Sequence, residues 1–265
     1  MAADALFTPE PDGRWLPTDL ARGPWSPAQL HGGPVAALAA RAVELLDTPG
    51  PMDPARMTLE LLKAVPLEPL TVGAEVIRAG RNVQLSEVEI HSGETLITRG
   101  RVLRFRRAEG ATAPWAEATA VPPPPPPPAE GGPQRFFRDE EWVAFHNTAV
   151  DHRFVAGAFE ALGPATDWIR LRVPVVPGEE PSPFQRVVAA ADFANGVSAV
   201  IPFDQATFIN ADLTVHLNRP AVGEWIGLEA RTTVGPHGTA LAHTSLFDSS
   251  GLVGTTAQSL LVQPR

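Results

Sequence analysis

The sequence predicts an α+β fold of two tandem units, each a helix followed by an antiparallel meander. Their sheets meet edge to edge, forming one continuous curved sheet around two central helices. Three observations predict this. An unbroken proline run, Pro122 to Pro128, divides the chain; it lacks amide donors, adopts extended polyproline II and cannot lie inside a sheet. On each side of it the same parts come in the same order, a helix and then alternating apolar and polar runs separated by Gly, Pro, Asn and Ser turns. Finally, LELLKAVPLEPLTVG from Leu59 lies over LTVHLNRPAVGEWIG from Leu213 without a gap, matching Leu59 with Leu213, Pro66 with Pro220 and Gly73 with Gly227. The shared grammar points to an internal duplication, with an N-terminal unit at 1–118, a Pro-rich linker at 119–134 and a C-terminal unit at 135–265. The linker reads as a semi-rigid spacer, the alternative being a docking site for a proline-recognising partner.

The elements follow in order. LHGGPVAALAARAVELL, Leu30 to Leu46, is the first helix, entered through Pro34 and carrying an apolar stripe of Val35, Leu38, Ala39, Ala42, Val43 and Leu46. MTLELLKAV, LTVGAEVIRAG, NVQLSEVEIHSG and ETLITRGRVLRF are its strands. In the second half SPFQRVVAAADFANG is the helix, followed by INADLTVHLN, EWIGLEARTTV, TALAHTSLFDSSG and LVGTTAQSLLV. Each sheet curls round its helix, and joining the two removes exposed strand edges. This arrangement is a double hotdog.

Composition narrows the function. A chain of 265 residues, 44% hydrophobic and 19% charged, has an ordinary globular balance. Its net charge of −9 argues against a nucleic-acid or anionic-membrane partner. There is no cysteine, so disulfides, thiolate metal sites and a Cys nucleophile are excluded. MAADALFTPEPDGRW has neither part of a signal peptide, and no apolar run is long enough for a membrane span. The expectation is a soluble cytoplasmic protein, and the Ala, Pro, Gly and Arg richness suggests a GC-rich bacterial genome.

Several residues are candidates for chemistry. Gly32 and Gly33 let a ligand approach the backbone at a helix N-terminus, where free amides favour a polarised carbonyl oxygen. They read either as an oxyanion site or as a tight turn needed for helix entry. His31 beside them is a site-lining residue; the seven histidines show no HExxH and no metal-type pairing with carboxylates. Asp192, a lone carboxylate after an apolar run, is costly to bury unless hydrogen-bonded and is a functional candidate. Gln258 is a carboxamide inside the last apolar strand, and Asn210 opens INADLTVHLN, where strict alternation places it with Asp212, Thr214 and His216 opposite Leu213. The run TRGRVLRFRR could grip phosphates, but a solvated strand is the plainer reading. GxSxG, P-loop and GxGxxG motifs are absent.

With DFANGVSAVI and TTAQSLLV on hand, the chain resembles the acyl-CoA thioesterase II family and its thioesterase-like relatives, which are double hotdogs. The resemblance covers nearly the whole chain, better from Asp192 to Val262. It implies that Asp192 and Gln258, with a Thr or Ser two residues before Asp212, activate a water that attacks an acyl-CoA thioester. That third position is Asn210 here, which has no hydroxyl but can hydrogen-bond through its amide. The first-half HGG also resembles that of single-hotdog thioesterases, whose acid, nine residues past His31, is replaced by Ala40. The implied reaction is hydrolysis of a small-molecule acyl-CoA, with no metal or organic cofactor, with Gly32 and Gly33 amides at the oxyanion, in a protein of lipid metabolism that forms homo-oligomers. A non-catalytic acyl-CoA or acyl-chain binding protein is the alternative that Asn210 keeps open.

Overall fold

The computed structural model describes residues 4–116, 122–134, 136 and 142–265. The expected unit boundaries at 118/119 and at residue 135 lie outside the described residues. The first half comprises strands β1 (Phe7–Pro9) and β2 (Trp15–Pro17), helix α1 (Gly32–Glu44), and strands β3 (Met52–Leu61), β4 (Leu70–Ala79), β5 (Val83–Ser92) and β6 (Thr95–Arg106). After β7 (Gly132–Gln134) come β8 (Val150–Ala158), β9 (Ala161–Leu171), helix α2 (Pro183–Ala191), β10 (Ala206–Asn210), β11 (Asp212–Leu217), β12 (Trp225–Val234), β13 (Thr239–Asp248) and β14 (Gly251–Pro264). All fourteen strands belong to one sheet, in the order β1-β2-β4-β5-β6-β3-β11-β14-β13-β12-β9-β8-β7, with β10 alongside β14.

That order repeats outward from the β3–β11 junction. One side runs β3, β6, β5, β4 and the hairpin β2–β1; the other runs β11, β14, β13, β12 and the hairpin β9–β8. At the junction Leu59 lies opposite Leu213 in an antiparallel ladder. These are the two residues that the gap-free alignment superposes. In an antiparallel pair a residue faces its own equivalent only on a two-fold axis, so a pseudo-dyad passes between them.

The hairpins were not legible in the sequence. β1 and β2 have three residues each, too few to alternate. In β9 the consecutive residues Ala165 to Ile169 are all buried, so no period of two is present. The expected single strand INADLTVHLN is also broken. Asn210 pairs with Leu260 while Thr214 pairs with Ala257, so one extra residue sits on this side of the ladder. Such a bulge reverses the alternation, which sets Asn210 toward the interior together with Leu213.

Helix α1 is buried well beyond one stripe. Gly33 to Ala40 and Val43 are all inside, while the predicted Ala42 and Leu46 are only half-buried against the core. The reason is its double contact, with α2 on one side and β4, β5 and β6 on the other. The end of the presumed spacer is also ordered into the sheet, since β7 pairs with β8 as an edge strand that tolerates Pro133. Trp168 Nε1 donates to the Pro126 carbonyl at 2.7 Å.

The two helices are clasped where α1 ends and α2 begins. Ser182, the N-cap of α2, accepts from Gln185 N, and its hydroxyl donates to Glu44 Oε1 at 2.7 Å. Gln185 Nε2 donates to Glu44 Oε2 at 2.7 Å. Burial pushes the Glu44 carboxyl up from its ordinary value, against the opposing effect of these hydrogen bonds. A carboxyl raised in the folded state contributes stability that is fully present below its unfolded pKa and is lost as pH rises through the folded one. Glu44→Gln is therefore expected to gain melting temperature relative to wild type as pH is raised above the ordinary glutamate range. Glu44→Ala, which strands both donors, should lose about 1–2 kcal/mol at low pH and less as pH rises; thermal melts between pH 4 and 7 check both.

Candidate functional site

On the opposite side of the helix pair the roles exchange, and the end of α2 meets the start of α1. His31 is the N-cap of α1, in extended backbone geometry, and its Nδ1 lies 3.1 Å from Gly33 N. Asp192 is the C-cap of α2, one residue past the helix. Its Oδ2 is 2.8 Å from His31 Nδ1. Its Oδ1 accepts from Asn210 Nδ2 at 2.9 Å and from Gln258 Nε2 at 3.2 Å. Gln258 Nε2 also reaches the Asp192 carbonyl at 3.2 Å, and its Oε1 accepts from Asn195 N at 3.0 Å. Asn210 Nδ2 makes a second contact to Asp212 O at 3.2 Å. Four elements, α1, α2, β10 and β14, thus bring together His31, Asp192, Asn210 and Gln258.

This cluster is almost dry. Asp192 is 4% exposed, His31 9% and Gln258 0%. A carboxylate so buried is tolerable because Oδ1 carries two amide donors and Oδ2 faces the imidazole. The single ring nitrogen Nδ1 cannot serve Gly33 and Asp192 identically. When it carries a proton it donates to Oδ2 and leaves the Gly33 N–H unbonded; when bare it accepts from Gly33, and the short contact to Oδ2 then needs the proton on the carboxyl. The two contacts of Nδ1, to Gly33 N and to Asp192 Oδ2, thus compete for the same ring nitrogen. Sequence reasoning placed His31 only as a lining residue, because nothing local reveals a partner in the other half of the chain.

Gly32 is defined by space. A Cβ built on it would lie 2.7 Å from Asp192 Oδ2 and 2.8 Å from Oδ1. On Gly33 it would meet the Ala189 carbonyl of α2 at 2.6 Å and Phe145 at 2.9 Å. The first glycine admits the carboxylate, and the second admits the neighbouring helix.

The cluster stands at one side of a cavity of about 350 Å³, lined by His31, Gly32, Asp192, Asn195 and Asn210 and by the rings of Trp25, Phe136, Phe159, Phe193, Phe203 and Phe208. That size and apolar lining with a few convergent polar groups suit a small-molecule site. The rings pack on one another: Phe203 and Phe208 have centroids 4.8 Å apart, and Trp25 meets Phe208 edge-on at 5.4 Å. Phe193 touches His31 at 4.6 Å on one side and His152 at 4.9 Å on the other. His152 Nδ1 pairs with the fully buried Asp167 Oδ2 at 2.6 Å, a second imidazole–carboxylate pair that sequence reading also missed. Burial raises the Asp167 carboxyl, and the His152 pairing opposes that.

The arginine run is a strand-surface ladder. Arg99 pairs with Glu89 at 2.5 Å, Arg101 with Glu87 at 3.1 Å and Arg107 with Asp53 at 2.5 Å. Arg104 is buried near Ser86, and desolvation lowers its pKa. Among the described residues, no helix is long and apolar enough to cross a membrane.

Comparison with known proteins adds the family context. Residues 21–105 match the family model described as the acyl-CoA thioesterase N-terminal domain, and residues 105–262 that of the acyl-CoA thioesterase C-terminal domain. No curated protein matches the chain significantly. Among solved structures, a conserved protein of unknown function with a hot dog fold from Alicyclobacillus acidocaldarius superposes with a TM-score of 0.74 at 18% identity, covering 95% of this chain and 92% of that one. The tesB protein of Mycobacterium avium subs paratuberculosis gives 0.68 at 15% identity, with 95% and 93% covered. An acyl-CoA thioesterase II, TesB2, from Mycobacterium marinum gives 0.66 at 19% identity, with 88% and 89% covered. At these identities the likeness establishes the hotdog fold alone.

Proposed function

The chain belongs to the acyl-CoA thioesterase family, and from that premise we propose that it hydrolyses the thioester of an acyl-CoA to free acid and coenzyme A. The observation that carries this reading is the Asp192 carboxylate, fixed at Oδ1 by two carboxamides and facing His31 at Oδ2, beside an apolar cavity. The architecture is read as a double hotdog with α1 and α2 as its central helices, supported by the mirrored strand order and by the contact between the helices.

In the reaction, Asp192 is the general base for a water. The water oxygen bonds to the thioester carbon, one of its protons goes to Asp192, and the C–S bond breaks as the tetrahedral intermediate collapses. That proton then passes to the departing thiolate sulfur, leaving acid and free thiol. Asn210 and Gln258 direct their amide nitrogens at the carboxylate and orient the base. While His31 donates from Nδ1 to Asp192, the Gly33 N–H is released from the ring and serves the developing oxyanion, together with Gly32. The aromatic rings receive the acyl group.

Asn210 stands where the family resemblance expects a hydroxyl, and this favours a second reading, an acyl-CoA binder without turnover. A panel of acyl-CoAs assayed for released thiol separates the two: thiol release at a catalytic rate supports the enzyme, whereas tight binding without release supports the binder. If the enzyme reading holds, Asn210→Ala should lower kcat about ten- to a hundredfold, the range for one lost hydrogen bond to a charged group. Asn210→Thr, which restores a donor, should recover most of that loss.

A further inference from the structure

We propose that Lys63 is the coenzyme-recognition residue of this site, its ammonium meeting the phosphates of a coenzyme A thioester whose acyl end lies in the aromatic cavity. The proposal takes the identity of its ligand from the thioesterase reading above. Its own basis is different. Of the 21 basic residues in the chain Lys63 alone is a lysine, and it lines the cavity that holds Asp192 while remaining exposed to solvent.

No arginine lines this cavity, and ten of those elsewhere among the described residues pair with carboxylates. Arg41 pairs with Glu179, Arg99 with Glu89, Arg101 with Glu87 and Arg219 with Asp248. Among the described residues Lys63 makes no ion pair. A chain with a net charge of −9 repels an anionic substrate overall, so an unneutralised cation at the entrance has a disproportionate local effect. Lysine suits that task. It grips phosphate as a point charge on a flexible stem and needs no fixed fork geometry.

Its backbone is also held in place relative to the reacting groups. Lys63 N donates to the Ile97 carbonyl at 3.3 Å, and Leu62 N donates to the same carbonyl at 3.0 Å. Two residues on, the Val65 carbonyl accepts from Leu30 N at 2.8 Å, and Leu30 directly precedes His31. The segment between β3 and β4 is therefore tied at one end to β6 and at the other to the entrance of α1. The ammonium swings from a fixed anchor at the lip, outside the apolar interior, where the nucleotide end of the coenzyme must remain when its thioester reaches Asp192.

The test compares one acyl group on two carriers, full coenzyme A and pantetheine, which lacks the nucleotide. For wild type, KM should be lower for the coenzyme A thioester. Lys63→Ala should shrink that preference about three- to fivefold and Lys63→Glu should abolish or invert it, with Lys63→Arg restoring it, and the differences should fade at high ionic strength. Equal KM ratios in wild type and Lys63→Glu would overturn the proposal while leaving the thioesterase reading intact. If no thioester is cleaved, titration calorimetry with coenzyme A itself decides. Binding weakened by Lys63→Glu would uphold Lys63 although the hydrolase reading had failed, and binding unaffected by it, or absent altogether, would overturn the proposal.

Discussion

Replacing Asp192 with Asn is expected to lower kcat for acyl-CoA hydrolysis by about 10²–10⁴-fold, the range attributed to a positioned general base, in a protein that still folds. The geometry explains why the two effects separate. The Asn carbonyl oxygen can occupy the position of Oδ1 and accept from both Asn210 and Gln258, as the carboxylate does. Its amide nitrogen would take the place of Oδ2 and donate to a bare His31 Nδ1, keeping the contact that Oδ2 makes there. Packing and hydrogen bonding survive, and only the capacity to accept a proton from water is lost. Steady-state assays of thiol release, alongside thermal melts, check this. Full activity in Asp192→Asn would remove Asp192 from the chemistry; a large fall in melting temperature would show that the carboxylate is structural.

The parts of this site were legible in the sequence to different degrees, for physical reasons. Asp192 and Gln258 stand out locally, because a carboxylate after Val-Val-Ala-Ala-Ala and a carboxamide in an apolar strand both violate the pattern around them. Their family resemblance then grouped them with Asn210, and all three carboxyl and amide groups do meet. The orientation of Asn210 was not legible from alternation. It depends on the bulge between Asn210 and Thr214, whose only sign is a one-residue offset between two registers of β14. The partner of His31 was hidden for another reason. Histidine and aspartate come from different halves, and only the packing of α1 against α2 brings them together. The same packing joins Glu44 to Ser182 and Gln185 at the other end of the helix pair. Each helix ends with an acid that meets the start of its partner. One of these junctions opens on a cavity and the other clasps the helices, so the duplicated halves have diverged in what their acids do.

The missing acid at Ala40 follows from that exchange, and it turns the glycine pair into a sharp test. Gly32→Ala is expected to lower kcat about 10²-fold, the usual cost of misplacing a reacting group by an ångström, with little loss of stability. Neither Gly32 nor Gly33 has the positive φ that would require glycine. If the pair served helix entry alone, alanine would be tolerated and even gain about 0.5–1 kcal/mol of helix propensity. The Cβ at Gly32, however, would lie 2.7 Å from the Asp192 carboxylate, whose two oxygens are held by Asn210, Gln258 and His31. The carboxylate is a side-chain end and not backbone, so it is the group expected to shift, and the first cost falls on its position. At Gly33 the obstruction is the Ala189 backbone carbonyl at 2.6 Å. Backbone in a packed helix cannot step aside, so Gly33→Ala should cost about 1–3 kcal/mol of stability by overpacking. Two adjacent substitutions of identical chemistry should thus fail in opposite ways, the first in kcat with a near-native melt, the second in melting temperature. Equal loss of stability in both would mean that the glycines only pack the helices, and would detach Gly32 from the carboxylate it faces.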